Sequence, residues 1–300
     1  MSDPYPETVV DLAPPLPLPA GRPLQLPGRG TTFVSEVEGP PDAPTLLLLH
    51  GWTATADLNW ATTYSPLGQR FRVVAMDHRG HGRGIRSLRP FRLEDCADDA
   101  AAVCDALGIE SVVPVGYSMG GPVAQLMWRR HRHLVAGLVL CATAGRFADS
   151  SPRTRLFHAS MLGASAAARL SPAQVQDRFV AEWLRRRVLA GPHKDWVVAE
   201  LSRSDPAALL QAGAALSRFD SGAWTGTIDV PAAVVQTELD TVVPPSLQLA
   251  LSQAIPGCTL YPVDGDHGAV FSRPSAFVPT LVEACANVAH RAATLASHCG

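Results

Sequence analysis

The residues best placed to do chemistry surround a single serine. Residues 116–121 have the sequence GYSMGG, follow the apolar run 111–115 and precede a segment with helical character. A strand that turns this sharply into a helix forces the residue at its apex into a strained backbone conformation, and glycines two positions away on each side leave it room. The hydroxyl of Ser118 then projects above the sheet, so the pattern predicts a nucleophile.

A serine at such a turn needs a base and an acid from loops later in the chain. Asp240 directly follows one predicted strand, and His267 follows the next strand, with glycines close by on both sides. A buried carboxylate can accept the Nδ1 proton of an imidazole, whose Nε2 then takes the serine proton. Taken alone, Asp240 would be a cap for the following helix and His267 a surface residue, but their order after Ser118 favours catalysis.

Four other side chains are rivals for these two roles. Glu238 is the rival acid, but it comes too early in its loop, and Asp149, which follows an earlier strand, is a second one. His290 and His298 lie in the predicted terminal helix and tail, where a solvent-exposed or core-filling role is expected. None of the four replaces the ordered set of serine, aspartate and histidine.

An oxyanion formed on a substrate carbonyl needs hydrogen-bond donors beside the serine. The backbone N–H of Met119, at the start of the helix after the turn, is one expected donor. The second is the backbone N–H of Trp52, in the turn His50-Gly51-Trp52 that follows the predicted strand 45–49. His50 is expected to orient this turn and not to act as a base.

Residues 77–84 (DHRGHGRG) follow another predicted strand and are rich in glycine. They do not form a nucleotide-binding motif, because the GxGxxG pattern would need glycine at Ile85 and the Lys-Ser or Lys-Thr pair of a P-loop is absent. Tight packing beside the active site is the favoured interpretation. Binding of a substrate anion by the arginines is a second interpretation that the sequence leaves open.

The order of the predicted elements indicates an α/β protein. Strands alternate with helices, which is typical of a mostly parallel sheet with right-handed crossovers; the expected core is 31–144 with 228–300. Prolines recur from Pro4 to Pro27, so residues 1–30 are expected to be an extended arm. Between residues 145 and 227 helical spacing prevails, which predicts helices over 157–170, 172–188, 193–202 and 206–219.

The composition excludes several classes of function. With 47% hydrophobic and 17% charged residues, 300 residues can bury one large core. A net charge of −2 with mixed signs gives no surface for nucleic acid or an anionic membrane, and no apolar run approaches the roughly 20 residues of a transmembrane helix. The acidic, proline-containing start does not resemble a signal peptide, so a cytoplasmic protein is expected. Six scattered cysteines indicate buried thiols and not a metal site.

Taken together, the motifs resemble those of the α/β-hydrolase fold superfamily, and within it the capped branch of serine carboxylesterases, lactonases and carbon–carbon bond hydrolases. The resemblance covers nearly the whole chain from about Thr31. Gly84 departs from it, since many relatives carry serine there. The resemblance is based on five motifs: the turn at His50, DxRGxG at 77–82, GxSxGG at 116–121, Asp240 with Val243-Pro244, and Asp266-His267-Gly268.

The resemblance implies a mostly parallel central sheet flanked by helices, with a helical cap at 145–227 inserted after the strand near 134–141. It implies an ester or lactone of a small, largely apolar substrate, cleaved through an acyl-serine without a metal or organic cofactor. The same residues can also cleave carbon–carbon bonds or thioesters or form peracids, and some relatives are receptors with negligible turnover. These alternatives stay open, as does the oligomeric state.

Overall fold

The computed structural model describes residues 16–147, 152–170 and 193–299. An eight-stranded sheet runs through this part of the chain, in the spatial order β1-β2-β4-β3-β5-β6-β7-β8. The strands are β1 (Gly21–Leu26), β2 (Gly30–Val37), β3 (Thr45–Leu49), β4 (Arg72–Met76), β5 (Val113–Tyr117), β6 (Leu138–Cys141), β7 (Ala232–Thr237) and β8 (Thr259–Val263). β2 pairs antiparallel with β1 and β4, and the other neighbours pair parallel. The carboxyl ends of β3 to β8 therefore meet at one edge of the sheet.

Ten α-helices accompany the sheet in the described part of the chain. They are α1 (Ala56–Trp60), α2 (Tyr64–Gly68), α3 (Leu93–Ala106), α4 (Gly120–Arg130), α5 (Pro152–Leu170), α6 (Lys194–Ser202), α7 (Pro206–Leu216), α8 (Pro245–Ala254), α9 (Ala269–Ser272) and α10 (Pro274–Cys299). The sequence does not predict α1, α2 and α9, because five residues or fewer show no readable period. Of the helices described, none is long and apolar enough to cross a membrane.

The parallel strands are apolar on both sides because helices cover both faces of the sheet. In β3, Leu47 and Leu49 join the core that α3, α4 and α8 complete, whereas Leu46 and Leu48 join the core formed with α1, α2 and α10. All four leucines are fully buried. This two-sided burial is the reason that the sequence of β3 is a continuous apolar run and does not alternate with polar residues.

Residues 21–26 correct the expectation of an extended arm over residues 1–30. They form β1, which pairs with β2 from Gly21 opposite Ser35 to Leu26 opposite Gly30. Pro23 is tolerated because β1 is the edge strand, and one side of an edge strand makes no ladder hydrogen bonds. This segment therefore belongs to the sheet; residues 1–15 of the expected arm lie outside the described residues.

Between β6 and β7, the regular elements in the described residues are helices. This part of the chain contributes α5, α6 and α7 and no strand in the described residues, and the predicted helix 172–188 lies outside them. α7 begins where the sequence predicts, since Asp205 Oδ1 accepts the backbone N–H of Ala207 at 2.9 Å. α5 packs along α7, and the hydroxyl of Ser165 donates to the carbonyl of Ala207 at 3.0 Å.

The two ends of this helical insertion meet. The backbone N–H of Ser221 donates to the carbonyl of Gly145 at 2.8 Å, and Arg146 and Asp220 form an isolated antiparallel bridge. β6 and β7, which flank the insertion in the chain, are neighbours in the sheet. The insertion therefore leaves the strand order undisturbed.

Candidate active site

The turn that carries Ser118 depends on the glycines around it. Ser118 has a φ of +51°, in the left-handed region that side chains rarely adopt. A Cβ on Gly116 would lie 2.3 Å from the carbonyl oxygen of Gly120, and a Cβ on Gly120 would lie 2.0 Å from the carbonyl oxygen of Leu49. Since neither position can hold a side chain in this backbone, the spacing of the GxSxG pattern is a steric requirement of the turn.

Two hydrogen bonds from β6 and the residues after it fix the backbone of Ser118. Its N–H donates to the carbonyl of Cys141 at 2.9 Å, and the buried hydroxyl of Thr143 donates to the carbonyl of Ser118 at 2.7 Å. Cys141 itself is a buried free thiol whose pKa burial raises well above the ordinary value. It has the core position that the sequence predicts.

The structure brings Ser118, His267 and Asp240 together as one hydrogen-bonded chain. Nε2 of His267 lies 3.0 Å from Oγ of Ser118, and Nδ1 of His267 lies 2.7 Å from Oδ2 of Asp240. Each residue follows a strand, β5, β7 or β8, at the shared carboxyl edge of the sheet. The tautomer with a proton on Nδ1 satisfies both contacts, because Nε2 can then accept the serine proton.

Asp240 is buried and held by several donors besides His267. Its Oδ1 accepts the backbone N–H groups of Val242 and Val243, both at 2.8 Å, and its Oδ2 accepts the hydroxyl of Thr237, also at 2.8 Å. Burial alone would raise the pKa of Asp240, but these bonds, led by the one from His267, hold the pKa below its ordinary value. The carboxylate is therefore ionised at neutral pH.

The rivals for the acid and the base are not part of this arrangement. Glu238 is exposed, and its backbone N–H pairs with the carbonyl of Val263. Asp149 lies outside the described residues. His290 is exposed on α10, and His298 lies in the last turn of the same helix. In the described part of the chain, His267 is hydrogen-bonded to Asp240 and Ser118 and not to Glu238 or His290.

One residue with a predicted oxyanion donor follows the serine directly, and the other lies in a turn that packs against it. A Cβ on Gly51 would be 3.3 Å from Cβ of Ser118, so the turn after β3 packs directly against the serine. Among the described residues, no acceptor takes the backbone N–H of Met119 or that of Trp52. Both N–H groups therefore remain available for the role that the sequence predicts for them.

His50 orients this turn with both of its ring nitrogens. Nδ1 donates to the carbonyl of Gly51 at 2.8 Å, and Nε2 accepts the backbone N–H of His78 at 2.9 Å. Burial lowers the pKa of His50 to about 4, so the ring is neutral. An imidazole with both nitrogens occupied is an anchor and not a base, which agrees with the role predicted for it.

The buried imidazoles of His50, His78 and His81 form a cluster of three, and the sequence gives no signal for it. The ring centre of His50 lies 4.4 Å from that of His78 and 5.3 Å from that of His81. Within the described residues, both ring nitrogens of His78 and Nε2 of His81 lack a hydrogen-bond partner, and no metal-binding group forms. Burial lowers the pKa of His81 to about 3 and that of His78 well below its ordinary value, and the neighbouring His50 lowers both further.

Because the pKa values of these imidazoles are lowered, we expect the free energy of unfolding to decrease in mild acid. In the unfolded chain a histidine binds its proton at a pKa of about 6.5, whereas folded His50 does so at about 4 and His81 at about 3. Below pH 6.5 the unfolded state therefore binds more protons, and stability falls as pH falls. For three such groups, the free energy of unfolding changes with pH by up to about 4 kcal/mol per pH unit near pH 5. Urea denaturation at a series of pH values measures this slope.

A His78→Leu variant is the test of that assignment. It should retain about two thirds of the slope between pH 6.5 and 5, because one of three imidazoles no longer takes up a proton. The comparison isolates the imidazoles from the buried carboxylates Asp77 and Glu200, whose pKa values burial raises. A matched His290→Gln variant changes an exposed ring and should keep the parent slope. An equal slope in the parent and His78→Leu proteins would contradict the prediction.

The arginines of the 77–84 motif have partners in the fold, so the structure does not favour the anion-binding interpretation. Arg79 makes two hydrogen bonds of 2.7 and 2.8 Å to the buried carboxylate of Asp99 on α3. Arg83 donates to Asp57 at 2.6 Å. The departure at Gly84 also has a steric reason, because a Cβ there would lie 2.2 Å from the carbonyl oxygen of His78.

The fold and the order of these residues match known proteins. A family model described as alpha/beta hydrolase fold matches residues 44–274. A bifunctional esterase/perhydrolase of Acinetobacter calcoaceticus is 30% identical over 231 residues, which cover 69% of this chain and 78% of that protein. A pimeloyl acyl-carrier protein methyl ester esterase of Chromobacterium violaceum is 30% identical over 247 residues, 80% of this chain and 93% of that protein.

A solved structure agrees with the sequence matches. The enol-lactonase from Burkholderia xenovorans LB400 has a TM-score of 0.70 to this chain, at 24% identity over 88% of this chain and 100% of that one. At this identity the likeness concerns the fold. The predicted fold class is confirmed, and the chain belongs to the α/β-hydrolase fold family.

Proposed function

We propose that the protein is a serine hydrolase that cleaves a carboxylic ester or lactone of a small, largely apolar substrate through an acyl-serine. The observation that carries this proposal is the continuous hydrogen-bonded chain from Ser118 through His267 to Asp240. In the proposal Ser118 is the nucleophile, His267 is the general base, and Asp240 is the acid that orients it.

Acylation follows from this geometry. Nε2 of His267 takes the hydroxyl proton as Oγ of Ser118 attacks the substrate carbonyl carbon. The new C–O bond forms while the carbonyl π electrons move to the oxygen, and the N–H groups of Met119 and Trp52 stabilise that oxyanion. When the oxyanion collapses, the bond to the leaving alcohol breaks and His267 returns the proton to the alcohol oxygen. Asp240 stays ionised and stabilises the transient imidazolium.

Deacylation repeats the same proton transfers with water. His267 takes a proton from the water molecule as its oxygen adds to the acyl carbonyl, and it returns the proton to Oγ of Ser118 when the acid leaves. With a lactone substrate, the alcohol and the acid are parts of one hydroxy acid. The same five residues therefore serve open-chain and cyclic esters.

We also propose that residues 145–227 are a cap that binds the apolar part of the substrate. The support is that α7 packs on the oxyanion turn: the indole N–H of Trp52 donates to the carbonyl of Leu209 at 2.8 Å. A Cβ on Gly213 would lie 2.6 Å from the Trp52 ring, so the contact is close. A cover of this kind excludes water from the acyl-enzyme and gives the substrate an apolar wall.

The names of the relatives support an ester substrate. They also suggest hydrogen peroxide as a second acceptor of the acyl group, besides water. The two relatives described above are named as esterases, and one is also named as a perhydrolase. In perhydrolysis, hydrogen peroxide replaces water as the attacking group, the bond between the acyl group and Oγ of Ser118 breaks, and the acyl group is released as a peracid while Oγ recovers its proton. Assays with and without added peroxide measure this branch through the peracid formed.

Labelling and turnover together test the proposed function. We expect a fluorophosphonate to label the parent protein once per chain, and a Ser118→Ala variant not at all. A nitrophenyl acyl ester should give multiple turnovers. Labelling without turnover of any ester, lactone or thioester would contradict the proposal and indicate a receptor, and turnover of a dienoate-type diketone alone would indicate a carbon–carbon bond hydrolase.

The contact of Trp52 with α7 predicts an effect on substrate length. A Trp52→Phe variant keeps the backbone N–H that serves the oxyanion but loses the indole bond to Leu209. Because α7 then loses a fixed contact with the turn, the ratio of kcat/KM for short and long acyl esters should change by more than about threefold, which corresponds to roughly 0.7 kcal/mol of differential binding. A chain-length series of nitrophenyl esters measures the ratio.

A Trp128→Phe variant is the matched control for this measurement. The indole of Trp128 donates to Asp229 at 3.2 Å, on a different part of the fold. We expect the length preference of this variant to equal that of the parent. Equal preferences in the Trp52→Phe and Trp128→Phe variants would show that the contact between α7 and the turn does not determine specificity.

A further inference from the structure

The residue before the serine reaches the backbone of the histidine. Tyr117 is the last residue of β5, and its hydroxyl donates to the backbone carbonyl oxygen of His267 at 2.6 Å. These two residues are 150 positions apart in the chain. The contact therefore joins the strand that carries Ser118 directly to the residue proposed as its base.

Other hydrogen bonds hold the loop of His267 at residues on either side of the histidine. The carbonyl of Gly265 accepts the backbone N–H of Leu239, and Oδ1 of Asp266 accepts the backbone N–H of Gly268 at 2.9 Å. These bonds shape the loop and connect it to the loop of the acid. In the described part of the chain, only the Tyr117 hydroxyl ties the main chain of His267 to β5.

The Tyr117 ring has little freedom to move. It is 3% exposed, and its centre lies 5.9 Å from that of Trp60, 5.7 Å from that of Phe277 and 5.9 Å from that of His267, each in an edge-on arrangement. Burial raises the pKa of Tyr117, so the hydroxyl remains a neutral donor across the working pH range. Because the ring is fixed, its hydroxyl holds the backbone carbonyl of His267 at a constant distance from β5.

We propose that Tyr117 is a positioning residue that sets the distance between Ser118 and the imidazole of His267. The inference rests on the proposed function and extends it to a residue outside the proton-transfer chain. Asp240 fixes the orientation of the His267 ring through Nδ1, whereas Tyr117 fixes the position of the His267 backbone. A shift on the order of 1 Å between reacting groups can reduce a rate by about 100-fold, so this anchoring has a measurable effect.

Removal of the hydroxyl tests the inference. We expect a Tyr117→Phe variant to have a kcat lower by about 10- to 100-fold, with KM within about twofold of the parent, because the hydroxyl faces the histidine backbone and not the substrate. A Tyr64→Phe variant is the matched control. Tyr64 is also buried, and its hydroxyl donates to Asp57 at 3.1 Å, away from the serine. Its kcat should stay within about twofold of the parent.

A spectroscopic signature separates positioning from general weakening of the fold. The proton between Nδ1 of His267 and Asp240 should give a far-downfield ¹H resonance, assigned by its loss in a His267→Ala variant. In Tyr117→Phe this resonance should shift or broaden, and in Tyr64→Phe it should not. If Tyr117→Phe does not fold, 4-fluorophenylalanine at position 117 fills the volume without donating, and the same kcat loss and resonance change are expected.

Two results would overturn the inference. One is a folded protein without the position 117 hydroxyl whose kcat is within threefold of the parent and whose downfield resonance is unchanged. The other is a rise in KM with kcat unchanged, which would assign the hydroxyl to substrate binding. Fluorophosphonate labelling of the parent at Ser118 reports on the proposed function separately, so the two failures can be told apart.

Discussion

Replacing Ser118 by alanine is expected to lower kcat for an activated ester by on the order of 10⁴-fold or more. In the proposed mechanism, the change removes the atom that forms the acyl bond and leaves the donors of Met119 and Trp52 in place. The small remaining rate would come from those donors and from substrate binding alone. Initial rates with a nitrophenyl acetate, over a concentration series, measure kcat and KM.

The fold of the Ser118→Ala variant should be intact, because the strain at φ +51° belongs to the backbone and is similar for serine and alanine. Ser252 offers a matched control: it is 8% exposed, against 7% for Ser118, and its hydroxyl donates only to a helix carbonyl. A Ser252→Ala variant should keep the parent kcat. Activity of Ser118→Ala above about one hundredth of the parent, in a preparation free of other esterases, would rule out the serine mechanism.

Replacing Asp240 by asparagine is expected to lower kcat by about 10⁴-fold, far more than the matched change Glu238→Gln. An asparagine amide can donate to Nδ1 of His267 and so favours the tautomer that cannot accept the serine proton. It also removes the negative charge that stabilises the imidazolium. Glu238 is exposed and two residues earlier, and its variant should keep at least half of the parent kcat.

The ranking of these two variants decides which carboxylate is the acid. Steady-state rates of both, measured beside their unfolding midpoints, separate loss of chemistry from loss of stability. Asp240 accepts four hydrogen bonds besides the one from His267, so Asp240→Asn also loses some stability. If Glu238→Gln is the slower enzyme, the roles proposed for the two carboxylates are reversed.

The fold and the proximity of Ser118, Asp240 and His267 in the candidate site could be predicted because their signals are local. Ser118 stands between glycines at the end of an apolar strand, and Asp240 and His267 each follow a strand directly. In a parallel sheet all such positions share one edge. Residues that directly follow parallel strands can therefore be predicted from the sequence to lie close together.

The features that could not be predicted depend on partners distant in the chain. Prolines correctly exclude an interior strand from residues 16–27, but only the position of β1 at the sheet edge shows that a strand with Pro23 is possible. The unpartnered nitrogens of His78 depend on packing from several elements. The hydroxyl of Tyr117 meets a carbonyl 150 residues away, and no pattern in the sequence marks that pair.

The bridge between Arg146 and Asp220 makes the chain between them a closed loop anchored beside the sheet. The free energy needed to close a loop rises only with the logarithm of its length, about 0.6 kcal/mol for each doubling. We therefore expect that adding residues to this loop, removing them, or exchanging the whole loop with that of a relative has little effect on the register of β6 and β7. The architecture allows the proposed cap to diverge in sequence and length while the turn of Ser118 and the loops of Asp240 and His267 stay where the sheet places them.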